Sequence, residues 1–147
     1  MSPAPKAVVV DASTIAKWLP PLHTEPLAAQ AEELLRQWMR SELEILVPDL
    51  MPIEVANALW KAVRRGRCTS EQAAAAMQIL LEHELTVIPS RPLLSAALAI
   101  AVEHHRTVYD SIYLALAASS GAQLITADEK LVIALVGHYP VRWLGAL

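Results

Sequence analysis

Apolar residues along this chain follow two rhythms. Short runs rich in β-branched residues recur at Ala7-Val8-Val9-Val10, Ile45-Leu46-Val47, Thr86-Val87-Ile88, Leu124-Ile125-Thr126 and Val141 to Leu144, and longer stretches of helical spacing separate them. Strands that are apolar at every residue are covered on both faces, and their alternation with helices is the mark of a parallel sheet. The expected fold class is therefore α/β, a five-stranded parallel sheet flanked by helices on both faces, with residues 1–147 as one domain. No internal repeat, low-complexity segment or linker interrupts the pattern.

The helical stretches have legible ends. The first is expected from about Ser13 to Leu19, stopped by Pro20-Pro21 because proline cannot continue a helix. A second is expected from Pro26 to about Arg40. Two more fall between the second and third strands. One opens around Ile53-Glu54 and closes at Arg65-Gly66, where glycine suits a left-handed cap; the next starts at Thr69 with Gln72 completing a capping box. Ser90-Arg91-Pro92 opens another, Asp110 opens one that closes at Gly121, and Glu129 to Val136 forms the last.

Composition narrows the setting. The chain is 54% hydrophobic, with a mean hydropathy of +0.35, yet no segment approaches the ~20 apolar residues of a membrane span. Between Lys6 and Asp11 the apolar run is too short for a secretory signal, so a cytoplasmic location is expected. Cys68 is the sole cysteine, which excludes an internal disulfide and a thiolate metal cluster. A net charge of −3 argues against a broad nonspecific grip on nucleic acid, although Lys61, Arg64, Arg65 and Arg67 form a basic stretch at a helix end. That stretch suits either a solvated, dipole-complementing terminus or a phosphate or partner contact.

Four acids stand out by position. Asp11 ends the first apolar run and Asp128 follows the fourth, so both should emerge at the carboxyl end of the sheet, where open α/β proteins bind ligands. Glu54 and Asp110 are expected at helix openings. Each has a bland alternative: a turn-forming Asp after a strand for Asp11 and Asp128, a first-turn dipole partner for Glu54 and Asp110. As a set they point elsewhere, because several carboxylates share a site only when a cation relieves their repulsion.

The stretches Val9-Val10-Asp11-Ala12-Ser13, Glu54-Val55-Ala56-Asn57-Ala58-Leu59, Tyr109-Asp110-Ser111-Ile112-Tyr113-Leu114-Ala115 and Ile125-Thr126-Ala127-Asp128-Glu129-Lys130-Leu131 resemble, in order, the motifs of PIN-domain ribonucleases, and within them the VapC-like toxins of toxin–antitoxin pairs. The resemblance implies a single PIN-like domain and a metal-dependent RNA endonuclease using Mg²⁺ or Mn²⁺. It also implies an RNA substrate, a cognate antitoxin protein and a homodimer. Asp11, Glu54, Asp110 and Asp128 would be the catalytic and metal-binding residues, with Glu54 also holding the attacking water. The donor set agrees: carboxylates without Cys or His suit Mg²⁺ better than Zn²⁺, and such ions activate water and stabilise a leaving oxygen in phosphodiester hydrolysis.

Around these acids, the hydroxyls of Ser13 and Thr126 are placed to bond a ligating carboxylate or a phosphate, or simply to cap. Asn57 shares a helix face with Glu54 and is expected to orient it. Lys17 and Lys130 are read as solvated, His104-His105 as a surface pair and Asp49 as a helix cap. Trp18, Trp38, Trp60 and Trp143 are read as core or interface anchors. For an antitoxin helix, the expected groove lies between the helices spanning 26–40 and 51–65, with Trp38 and Trp60 as contacts. Two other readings compete. A receiver-like phosphorylation switch would want paired acids after the first strand, where this chain has Asp11-Ala12-Ser13, and a catalytically silent PIN-fold binding module would not need all four acids.

Overall fold

In the computed structural model, residues 4–23 and 27–147 are described. Five strands, β1 (Lys6–Val10), β2 (Leu43–Pro48), β3 (Thr86–Ile88), β4 (Gln123–Thr126) and β5 (Val141–Trp143), form one parallel sheet in the order β3-β2-β1-β4-β5. Val8, Val9 and Val10 are buried, as are Ile45 to Pro48 and Leu124 to Thr126, which is why these strands lack polar alternation. Each β1 residue from Val8 to Val10 is paired on the β4 side with Gln123, Leu124 and Ile125. The chain lays β2 and β3 on one side of β1, then places β4 and β5 on the other. The strand order therefore reverses at β1 and β4, the position where such sheets open a crevice at their carboxyl ends.

Among the described residues seven α-helices accompany the sheet: α1 (Ala12–Ile15), α2 (Ala28–Met39), α3 (Leu50–Arg64), α4 (Ser70–Glu82), α5 (Leu94–His104), α6 (Val108–Ser120) and α7 (Glu129–Leu135). The most deeply placed is α6, buried without interruption from Ser111 to Ala117. A helix that is apolar all round belongs in the interior, and α6 lies against β1, β2 and β4 with α5 covering it. No helix among the described residues is long and apolar enough to cross a membrane.

Several ends differ from the sequence-based expectation, each for a local reason. The first helix covers only Ala12–Ile15 and tightens into a 3-10 turn over Ala16–Trp18, and Pro20-Pro21 begins a second 3-10 turn. Proline fixes φ without forbidding a turn start. Pro26 lies outside the described residues, and the second helix is seen from Ala28. Glu54 does not open its helix, since α3 begins at Leu50 and places Glu54 in the second turn. Asp49 stands at the N-cap position of α3 without capping it through its side chain, and instead accepts the Ser90 hydroxyl. Asp110 lies in the first turn of α6, one residue beyond Tyr109, with Thr107 as the cap. Arg91–Leu93 form a 3-10 turn ahead of α5, and Leu144 leaves β5 for a final 3-10 turn. His104 is not on the surface: its side chain is only 14% exposed and its ring meets His138 and Tyr139.

Where local chemistry decides the end, sequence and structure agree. Gly66 and Gly121 both adopt positive φ after α3 and α6, and the Thr69–Gln72 capping box is complete, with Thr69 Oγ1 accepting Gln72 N at 3.1 Å and Gln72 Oε1 accepting Thr69 N at 2.9 Å. Thr69→Ala is expected to cost about 1 kcal/mol, read as a lower urea midpoint with unchanged slope. An unmoved midpoint would show that the box adds nothing to stability.

Candidate functional site

Asp11 leaves β1 and becomes the N-cap of α1. Its Oδ1 accepts Ser13 Oγ at 2.8 Å, Thr14 Oγ1 at 3.0 Å and the Thr14 backbone N–H at 3.1 Å. On the neighbouring strand, Thr126 is fully buried, and its hydroxyl ties two acids together by bonding the Asp11 carboxylate and accepting the Asp128 backbone N–H at 3.0 Å. Asp128 in turn caps α7 through Leu131 N at 3.1 Å. The capping role and the site role thus coexist in the same side chains.

Glu54 reaches the same place from α3. Its Oε1 accepts the Tyr113 hydroxyl at 2.7 Å, and Tyr113 comes from the buried face of α6, where a phenol needs a partner for its O–H. Burial, followed by the charge of Glu54, pushes the Tyr113 phenol far above its usual range, so this group stays a donor. Asn57, expected to orient Glu54, is exposed and lines a neighbouring cavity; Tyr113 holds the carboxylate. The first turn of α6 presents Asp110 to the same space.

A cavity of about 140 Å³ brings these groups together, lined by Asp11, Ser13, Glu54, Asp110, Tyr113, Thr126 and Asp128. All four singled-out acids are present, with both proposed hydroxyl partners. Tyr113 and Thr14 escaped the sequence reading as site residues. The Thr14 spacing from Asp11 was a usable N-cap signal, whereas the Tyr113–Glu54 contact joins residues 59 positions apart and has no local signature. Neither Lys17 nor Lys130 lines this pocket.

The electrostatics are strained. Asp11 is pushed above the ordinary carboxylate range by burial, against the opposing bonds from Thr126, Ser13 and Thr14. Burial also raises Glu54, with the charges of Asp11 and Asp110 adding to it. Asp110 is raised by burial and by Asp128 and Asp11, with Arg106 as the opposing cation. Glu54 and Asp110 thus feel the charge of the neighbouring carboxylates. Even so, among the described residues no three His, Cys, Asp or Glu side chains stand close enough to grip an ion directly. An ion that keeps part of its water shell fits this spacing, and the donors are hard oxygens throughout, as Mg²⁺ or Mn²⁺ prefers.

Fold and pocket define a class: a parallel α/β protein with an all-oxygen acidic pocket at the switch point of its sheet. Comparison with known proteins agrees. The PIN domain family model matches residues 8–134. Ribonuclease VapC3 of Pyrobaculum aerophilum is 40% identical over 126 residues, covering 84% of this chain and 91% of the relative. The crystal structure of PAE2754 from the same organism superposes with a TM-score of 0.67 at 31% identity, covering 95% of this chain and 93% of that one. A toxin–antitoxin complex from Klebsiella pneumoniae shares the fold at 17% identity, with a TM-score of 0.63 and coverage of 92% and 95%. The chain belongs to the PIN-domain family and resembles its VapC ribonucleases in sequence and structure.

The raised carboxylates make a stability claim with a definite sign. A group whose folded pKa is raised contributes stability that is present below the unfolded pKa and lost as pH rises through the folded one. Near neutral pH, therefore, the gathered charges of Asp11, Glu54 and Asp110 oppose folding. Asp110→Asn is expected to raise Tm by roughly 2–4 °C, the shift that ~1 kcal/mol produces in a chain of this size, when measured near neutral pH with a chelator present. The difference should shrink towards acidic pH. A lower Tm at neutral pH would show that the raised carboxylates do not oppose folding.

Proposed function

We propose that this protein is a Mg²⁺- or Mn²⁺-dependent endoribonuclease acting as the toxin of a toxin–antitoxin pair. The observation that carries the reading is the convergence of Asp11, Glu54, Asp110 and Asp128 on one cavity at the carboxyl edge of the sheet, in a chain whose relatives include ribonucleases. Asp11, Asp110 and Asp128 would hold the cation, directly or through water, with Glu54 as a further ligand. When bound, the cation supplies Lewis-acid activation of water and charge neutralisation at the phosphate.

The chain's own residues do the positioning. Ser13, Thr14 and Thr126 fix the Asp11 carboxylate, leaving it little rotamer freedom to lose when the site is loaded. Glu54, held by Tyr113 and made more basic by burial, is suited to orient the attacking water and accept its proton. Arg106 is near enough to Asp110 to favour the charged form of that carboxylate. The receiver-like alternative is not favoured, because it gives no role to Glu54 and Asp110.

An antitoxin partner follows from the same reading, supported by the Klebsiella pneumoniae neighbour's being a toxin–antitoxin complex. An Arg from such a partner suits the acidic pocket, since guanidinium pairs carboxylates in a bidentate way. The groove expected between the second and third helices needs revision. Trp38 is half-buried and stacked on His83, and α3 packs against α1 and α4, so Trp60, 54% exposed beneath Arg64, remains the candidate contact. A homodimer and a cytoplasmic setting complete the proposal.

Asp11→Asn, and separately Asp110→Asn, are expected to lower Mg²⁺-dependent cleavage of RNA by about 10²-fold or more while the chain stays folded. Wild-type rates in both folded variants would sink the assignment. Mg²⁺ or Mn²⁺ should also raise Tm by mass action on the native state, and the increment should shrink in Asp128→Asn. Equal increments in the two proteins would place the ion elsewhere. Co-expression with the neighbouring small gene, followed by size-exclusion and cleavage assays, tests the partner: failure to bind or inhibit would remove the toxin reading and leave the nuclease reading standing.

A further inference from the structure

Adjoining the acidic pocket is a larger cavity of about 500 Å³, walled by Leu50, Ile53, Asn57, Ala58, Lys61 and Tyr109. That volume lies within the ~300–1,000 Å³ typical of small-ligand sites. The two cavities share Ala12, Ser13 and Glu54, so whatever enters the larger one touches the edge of the smaller. Its character changes across the shared wall. The acidic side carries carboxylates, whereas the far side offers an aliphatic surface, one amide, one ammonium and one phenol ring.

Tyr109 is the unexplained element. It is adjacent in sequence to Asp110, yet its side chain points away from the core and is 60% exposed, and Ile53 on the same wall is 67% exposed. Glu54, Asn57 and Lys61 lie three and seven residues apart along α3, on one face of the helix. The seven-residue step from Glu54 to Lys61 separates their backbones by about 10 Å along the helix. An exposed ring, an amide with both donor and acceptor, and a cation one stride further on are the parts that recognise an unpaired nucleotide: stacking on its face, hydrogen bonding to its edge, and charge pairing with its phosphate.

We propose that this cavity seats the base next to the scissile phosphate, with Tyr109 as its stacking platform, Asn57 reading its edge and Lys61 holding the adjoining phosphate. The proposal rests on the ribonuclease reading above and adds to it a place where base preference is set. Single-stranded RNA is the occupant because the cavity is continuous with the acidic pocket and Lys61, the one cation among its described lining residues, is available to a neighbouring phosphate. A protein segment would find the same aliphatic wall and is the competing occupant.

The test uses the full chain carrying Asp11→Asn to suppress cleavage, and fluorescein-labelled ten-nucleotide single-stranded RNAs: the four homopolymers and one mixed sequence. Anisotropy titrations at several salt concentrations read binding. Adding Tyr109→Ala is expected to weaken binding about tenfold or more, with Tyr109→Phe restoring most of it. Lys61→Gln should weaken all sequences alike and reduce the salt slope by about one, and Asn57→Ala should narrow the spread among the homopolymers. Unchanged RNA binding in folded Tyr109→Ala overturns the proposal, and so does RNA binding too weak to measure before that change. If Tyr109→Ala leaves RNA binding intact but abolishes complex formation with the neighbouring gene product, the cavity belongs to the protein partner. The wild-type cleavage assay separates the two readings: cleavage with Tyr109-independent binding removes only this proposal, and Tyr109-dependent binding without cleavage removes the nuclease and leaves the cavity as an RNA-binding site with no scissile phosphate beside it.

Discussion

The pairing of β1 with β4 is the constraint on which the pocket depends. Because Val10 is in register with Ile125, the two strands end side by side, and the residues that follow them must share the carboxyl edge of the sheet. Asp11 and Asp128 cannot avoid each other there. Thr126, buried at the end of β4, turns this proximity into a joint by bonding one acid's side chain and the other's backbone. Both acids also cap the helices that follow, so helix starts and site geometry rest on the same atoms.

The other two acids are delivered by packing. α3 leans on α1 and brings Glu54 over the edge, while α6, sunk beneath α5, supplies Asp110 from its first turn and Tyr113 from its buried face. A phenol in a core needs an acceptor, and a half-buried carboxylate needs a donor; the Tyr113–Glu54 bond satisfies both. The result is a site in which position is strongly specified and charge is poorly relieved. Burial raises Asp11, Glu54 and Asp110, and the neighbouring carboxylates push Glu54 and Asp110 further up. This is the usual relation between stability and function at a binding site, where the folded chain tolerates a local cost that a ligand removes.

Much of this was legible in the order of residues, and the parts that were not share a cause. The five strands and the caps at Gly66, Thr69 and Gly121 depend on neighbours a few positions away, so local patterns revealed them. The start of α3 did not, because Asp49 stands at its N-cap position without a side-chain capping bond, and Met51 of its first turn is buried in the core. His104 was misjudged as a surface group for the same reason: its ring partners, His138 and Tyr139, come from a distant segment.

By itself, the sequence determined which residue types were available and where each would surface. Acids after strands, apolar runs without alternation and four motifs in family order specified an α/β PIN domain and nominated Asp11, Glu54, Asp110 and Asp128. Tertiary structure alone decided the distances among those acids and which neighbours hold them. It also opened a second cavity beside them, exposing Tyr109 where its chain neighbour Asp110 turns inward. The physical reason is range: strand and cap preferences act over a few residues, whereas hydrogen bonds such as Tyr113 to Glu54, the shared electrostatic field of the carboxylates and the walls of a cavity exist only once distant segments have been packed together.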